Sequence, residues 1–153
     1  MKMLYTTVVA IFSYLCVTAQ EVTALIKEAE RLEAVPDEKA SFAKCKEILL
    51  IQPLNIYALN KCSELCSRIG KRQGDKKLRD EYYIAAKTYA GIALKVNPEN
   101  AEANCVMAMV LGRSSLAKTG KEKINNAKDI KKYVDLAIKN DPNNFKAWHV
   151  LGR

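Results

Sequence analysis

Downstream of residue 21, apolar positions recur every three or four residues, the repeat of a helix with one buried face. Leu25, Ile26, Ala29 and Leu32 form the first stripe, and Phe42, Cys45, Ile48 and Leu49 the second. Leu59, Cys62, Cys66 and Ile69 follow, closed by Gly70, which reads as a helix stop. Further along come Leu78, Tyr82, Ala86, Tyr89, Ala90, Ala93 and Leu94, then Val106, Met107, Val110 and Leu111, and last Ile130, Val134, Ala137 and Ile138. Alternating patterns of useful length, the mark of a half-buried strand, are absent. The spacing predicts antiparallel helix pairs over about 21–34 with 38–51, 56–69 with 77–96, and 101–117 with 123–140, with another helix starting near Phe145.

The breaks between pairs repeat. Pro53, Pro98 and Pro142 open the phrases Pro53-Leu-Asn55, Pro98-Glu-Asn100 and Pro142-Asn-Asn144, and Ala58, Ala103 and Ala147 follow each Pro by five residues. Proline ends a helix, and an Asn two residues later is a good N-cap for the next. A recurring stop-and-start unit at this period predicts a solenoid of stacked hairpins. The fold class expected is therefore all-α, an α-solenoid of antiparallel helix pairs. Its repeats cover about 22–55, 56–100 and 101–144, with a fourth beginning at 145–153.

This chain resembles a tetratricopeptide-repeat protein. With Val22 at position one of the 34-residue frame, Ala29 takes the small eighth position, Leu32 the eleventh, Ser41 the twentieth and Pro53 the thirty-second. Small residues suit eight and twenty because the paired helices cross closely there. Glu28, at the normally apolar seventh position, departs from the pattern. The last start, Ala147-Trp148-His149-Val150-Leu151-Gly152, carries the Trp-x-x-Leu-Gly signature. Repeats two and three run about ten residues longer than the standard, the excess lying between their paired helices. A narrower resemblance rests on Ser63-Glu-Leu-Cys-Ser-Arg-Ile-Gly-Lys-Arg72, Glu81-Tyr-Tyr, Ala101-Glu-Ala, Leu111-Gly-Arg113 and Ala147-Trp-His-Val-Leu-Gly-Arg153. These segments are similar to the regulator of microtubule dynamics family. The resemblance implies a tetratricopeptide-like fold over 22–153 and bacterial secreted relatives. It also implies further helices beyond Arg153, so that the sequence reads as part of a longer protein.

The N-terminus has a different pattern. Residues 1–20 hold one charge, Lys2, and an apolar run from Val8 to Val17. Such a run is long enough for a secretion signal and short for a membrane span. Val17-Thr18-Ala19 supplies small residues for cleavage, so residues 1–19 are expected to be a signal peptide and 20–153 the repeat domain, with an uncleaved membrane anchor as the alternative. That places the protein across the inner membrane, in the periplasm or cell envelope of a Gram-negative bacterium. It also argues against regulation of microtubules, because tubulin is cytosolic.

Composition narrows the chemistry. Hydrophobic residues make up 49% of the 153 positions, enough for one folded domain, and only 4 Pro and 6 Gly favour long helices over a turn-rich barrel. One His leaves no multi-His metal site or His-rich catalytic centre. Cys45, Cys62, Cys66 and Cys105 read as small buried hydrophobes, with a Cys45–Cys62 or Cys45–Cys66 bridge as the alternative that secretion permits. No Gly-rich phosphate loop, nucleophile elbow or paired-carboxylate motif appears. The reading is non-catalytic, with no cofactor and no metal.

Two candidate surfaces remain. Arg68 and Arg113 fall at matching places late in first-of-pair helices, and Arg153 comes one turn earlier in its own. They either line the concave face and read carboxylates, tie helices together through Glu or backbone carbonyls, or favour a helix C-terminus electrostatically. Asn104 stands where a larger residue is usual, and either hydrogen-bonds a peptide or faces solvent. The segment 68–79 holds six bases and one acid; within it Lys71, Arg72, Lys76, Lys77 and Arg79 form a patch suited to anions. Lys118, Lys121 and Lys123 make a smaller cluster. The reading these support first is a scaffold holding a peptide or protein partner in a concave groove. The alternative is a module that binds an anionic lipid surface. Nucleic acid is the weakest partner, since no aromatic stacking surface adjoins the bases.

Overall fold

The computed structural model describes residues 19–116 and 119–152. The secretion signal read at 1–19, except Ala19, lies outside the described residues, as do Lys118 and Arg153. Every regular element among the described residues is a helix. The first, α1, covers 19–34. After it come α2 (Glu38–Ile51), α3 (Ile56–Lys71), α4 (Lys76–Val96), α5 (Ala101–Ser115), α6 (Gly120–Asn140) and α7 (Phe145–Leu151). The chain divides between Pro53 and Leu54 into two compact units.

In the first unit the small residues of the frame meet. Ser41 Oγ of α2 donates to the Ala29 carbonyl of α1 at 2.9 Å, and both residues are buried. A larger side chain at either place would push the helices apart. Asp37 caps α2, its Oδ1 accepting from Ala40 N at 3.1 Å. Val22, Cys45 and Ile48 complete the buried stripe. Glu28 is held by a two-bond pair with Arg31, both at 2.8 Å, so the acid at the apolar frame position is compensated by a cation.

The second unit holds two hairpins, α3 with α4 and α5 with α6, and the short α7. The proline phrases act as expected. Asn55, Asn100 and Asn144 each accept a hydrogen bond from the backbone N–H of Ala58, Ala103 and Ala147, at 3.0, 2.8 and 3.0 Å. Each of those alanines is wholly buried, so the cap also seats the next helix on its neighbours. Ser63 repeats the Ser41 device in mirror order, its Oγ on the first helix donating 2.7 Å to the Ala86 carbonyl of the second. The Trp148 indole N–H closes the last turn onto the Pro142 carbonyl at 2.8 Å.

Several expectations need correction. Gly70 is not a stop; α3 runs on to Lys71. A Cβ at Gly70 would lie 2.8 Å from Tyr82 Cβ, so this glycine permits the close approach of α3 and α4. In α4 the buried face is Tyr83, Ala86, Ala90 and Ala93, while Tyr82 and Tyr89 are half-buried and Leu78 is exposed. Helix α5 ends at Ser115 and α6 begins at Gly120, which makes α5 shorter and α6 longer than the spacing implied. Burial on α5 spreads beyond one stripe to Ala103–Ala108, because α3 and α4 cover it on one side and α6 and α7 on the other.

Candidate functional site

Helices α3, α5 and α7 form a row, each packed on the next or reached through it, and α4 and α6 flank it. Helix α4 packs on α5 and α6 on α7, but no such packing joins α4 to α6. The first helices are therefore the closely spaced, inner side of this unit, and α4 and α6 its splayed outer side. Side-chain bonds show the register within the row. Asn60 Nδ2 of α3 donates to Asn100 Oδ1, the cap of α5, at 3.2 Å. At the other end Arg113 Nη1 of α5 donates to Ser67 Oγ of α3. The two helices run side by side in the same direction.

Charged groups converge on this row. Lys146 Nζ of α7 lies 2.8 Å from Glu102 Oε1 of α5 and 3.3 Å from Glu64 Oε2 of α3. Arg68 Nη1 reaches the other oxygen of Glu64 at 3.4 Å. Glu64 is buried, while Glu102, Arg68 and Lys146 are half-buried. Burial works against the Lys146 ammonium. The hydrogen bond it donates to Glu102 and the charges of Glu64 and Glu102 outweigh it and hold its pKa above the ordinary lysine value. The network thus links three helices from positions 82 and 44 residues apart.

The candidate residues read from sequence fall as follows. Arg68 and Arg113 both lie on this row, each engaged by a protein partner: Glu64 for the first and Ser67 for the second. The Arg113 bond joins α5 to α3, whereas the Arg68 bond stays within α3. Asn104 does not face solvent. It is fully buried, and its Nδ2 donates at 2.9 Å to the carbonyls of both Pro98 and Asn100. Its Nδ2 is thus engaged by the turn before its own helix, while its Oδ1 is buried without a hydrogen-bond partner. Lys71, Arg72, Lys76 and Lys77 are exposed around the α3–α4 turn, and the half-buried Arg79 turns its Nη1 back to the Gln73 carbonyl at 3.5 Å.

Glu64, Glu102 and Lys146 were not singled out in the sequence. The signal for them is the repeat itself. Glu102 and Lys146 are each the second residue of a first-of-pair helix, so parallel stacking brings opposite charges face to face.

None of Cys45, Cys62, Cys66 and Cys105 forms a disulfide, and all four are buried. Cys105 packs with Ala137 and Ala147. Burial pushes its thiol up to about 12, with Glu102 adding to the effect and Lys146 opposing it. A thiol held there is a poor nucleophile. Among the described residues no group of His, Cys, Asp and Glu is placed to hold a metal ion, and no helix is long and apolar enough to cross a membrane.

Comparison with known proteins agrees with this architecture. A profile of the family described as regulator of microtubule dynamics protein 1-3 matches residues 25–153. No curated protein matches the chain closely enough to count. Among solved structures, a mutant O-GlcNAc transferase of Thermobaculum terrenum is similar over 85% of this chain, with a TM-score of 0.67 and 22% identity. The match covers 21% of that transferase, so the chain spans about a fifth of its length. The first tetratricopeptide unit of Spaghetti (RPAP3), bound to the HSP90 peptide SRMEEVD, is similar over 87% of this chain and 89% of its own, with a TM-score of 0.65 and 13% identity. At these identities the likeness is one of fold: a tetratricopeptide-like α-solenoid.

Proposed function

The chain belongs to the regulator of microtubule dynamics protein 1-3 family, and from that premise we propose that it is a non-catalytic scaffold whose inner helix row holds a segment of a partner protein. The observation that carries this is the Glu64–Lys146–Glu102 network with Arg68. It sets both signs of charge, with Arg68, Glu102 and Lys146 half open to solvent and Glu64 buried beneath them, along the inner helix row. A peptide laid there can trade its own charged or amide groups for those bonds without unfolding anything. The Spaghetti unit carries a bound peptide on the same fold, which supports the general mode. The buried thiols and the absence of a catalytic constellation in the sequence favour binding over chemistry. The secretion signal read in residues 1–19 puts the partner in the periplasm or cell envelope; this part rests on sequence alone.

The test is site-directed photocrosslinking in the native envelope. A photoreactive residue at position 68 or 102, on the inner row, is expected to give discrete partner adducts. One at position 88, on the outer face of α4, is expected to give none. Equal labelling from all three positions, or labelling from 88 alone, would overturn the groove.

A further inference from the structure

Helix α6 has a second charged face that the groove does not use. Its core-facing side carries Ile130, Tyr133, Val134, Ala137 and Ile138. At about 100° per residue, Lys121, Ile124, Lys128, Lys131, Lys132 and Lys139 fall within about 100° of arc on the opposite side. Asp135 is the one acid in that arc, and it is bonded to Lys131 at 2.8 Å. Lys128, Lys131, Lys132 and Lys139, with Asp135 and Leu136, line a shallow open concavity of about 510 Å³. The stripe runs straight for roughly 27 Å.

This arrangement costs the helix something when nothing is bound. Lys128 is three residues from Lys131 and four from Lys132. Like charges at those spacings repel by a few tenths of a kcal/mol each. A face kept only for solubility would alternate signs instead. Ile124 lies in the same arc and is 59% exposed. Five cations and one exposed aliphatic group on a straight line, at the splayed outer side of the stack, suit a flat anionic surface. The lysine stems can lie along the headgroups with their ammonium groups on phosphate, while Ile124 enters the acyl boundary. A folded acidic protein would be met by a compact patch rather than a line, and the arc has no aromatic ring to stack a base.

We propose that the outer face of α6 docks this protein on an anionic bilayer, with the helix lying in the headgroup plane and the inner row of α3, α5 and α7 left open. The proposal is independent of the groove reading: vesicle binding succeeds or fails whether or not a peptide occupies the inner row.

The experiment is co-sedimentation of the full chain with phosphatidylcholine vesicles and with phosphatidylcholine–phosphatidylglycerol vesicles. The ratio of the two partition constants is the readout, because the apolar N-terminal segment contributes to both. The wild-type ratio is expected to be large and to collapse in high salt. The triple variant K128Q/K132Q/K139Q is expected to lower it about 100-fold. The variant K71Q/K76Q/K77Q removes the same charge from the α3–α4 turn and is expected to lower it far less. Ile124→Asp is expected to weaken binding with the lysines intact. Circular dichroism checks that each variant stays helical. A wild-type ratio near one, or equal losses in the two triple variants, would overturn the proposal. So would binding to soluble polyglutamate with the same lysine dependence but none to the anionic vesicles, which would assign the face to an acidic protein instead.

Discussion

Lys146 Nζ sits 3.3 Å from Glu64 Oε2 across 82 positions of sequence, with Glu102 bonded at 2.8 Å between them. One side chain therefore fastens α7 to both earlier first helices. Lys146→Ala leaves a buried carboxylate at Glu64 with one cation fewer. The expected loss is about 1–3 kcal/mol in urea unfolding, with faster amide exchange in α7 than in α3. Unchanged exchange in α7 would mean that apolar packing alone holds it.

The same lysine sets an alkaline limit. Its pKa is raised above 10.5 in the folded state, so its stabilisation is whole below the unfolded value and is lost as pH climbs through the folded one. Burial raises Tyr83, Tyr89 and Cys105 as well. Their protonated forms are favoured in the fold, so stability falls in the same direction above about pH 9–10. Unfolding midpoints measured from pH 8 upward should decline, and Lys146→Met should flatten part of the decline. An identical slope in the variant would show that the lysine is not coupled to folding.

Glycine replacements separate close approach from mere helix geometry. Gly91→Ala in α4 meets nothing within 4 Å and should stabilise by about 0.5–1 kcal/mol through helix propensity. Gly70→Ala in α3 should instead destabilise by about 1–3 kcal/mol. Its new Cβ meets Tyr82 Cβ at 2.8 Å and the Arg79 carbonyl at 3.4 Å, and neither can swing away. Thermal melts of the two variants should move in opposite directions.

Asn104→Ala tests the turn role assigned above. Two 2.9 Å bonds to backbone carbonyls disappear, and about 1–3 kcal/mol of stability should go with them. The crosslinks from positions 68 and 102 should persist. Loss of those crosslinks at unchanged stability would return Asn104 to the ligand.

The thiols give a quick check on the core. With Cys16 replaced by Ser, the other four cysteines should resist a disulfide-exchange reagent at neutral pH and react together once the chain is denatured, since all four are buried. Fast reaction of Cys105 in the native protein would contradict its place against Ala137 and Ala147.

The repeat was legible because its signals are local. Proline removes a backbone donor, an Asn side chain replaces a missing acceptor at the next N-terminus, and both act within four residues of where they stand. The three caps at Asn55, Asn100 and Asn144 consequently appear where the proline phrases put them. The exchange of Tyr82 for Tyr83 on the buried face of α4 has a plain cause. Periodicity tells that a helix has a buried face, but a rotation of one residue around α4 moves that face by about 100°, and only the neighbouring α3 selects which tyrosine goes inside.

What the sequence determined alone is the list of helices, their order in pairs and the close crossing at Ala29 and Ser41, since propensity, capping and small side chains are properties of short segments. The tertiary structure decided which charges meet. Glu64, Glu102 and Lys146 are ordinary surface residues in any single helix; they become a network because parallel first helices stack in register and lower the local dielectric around them. It likewise buried Asn104 and left the lysines of α6 facing outward, because a helix has no inside until its neighbours are in place.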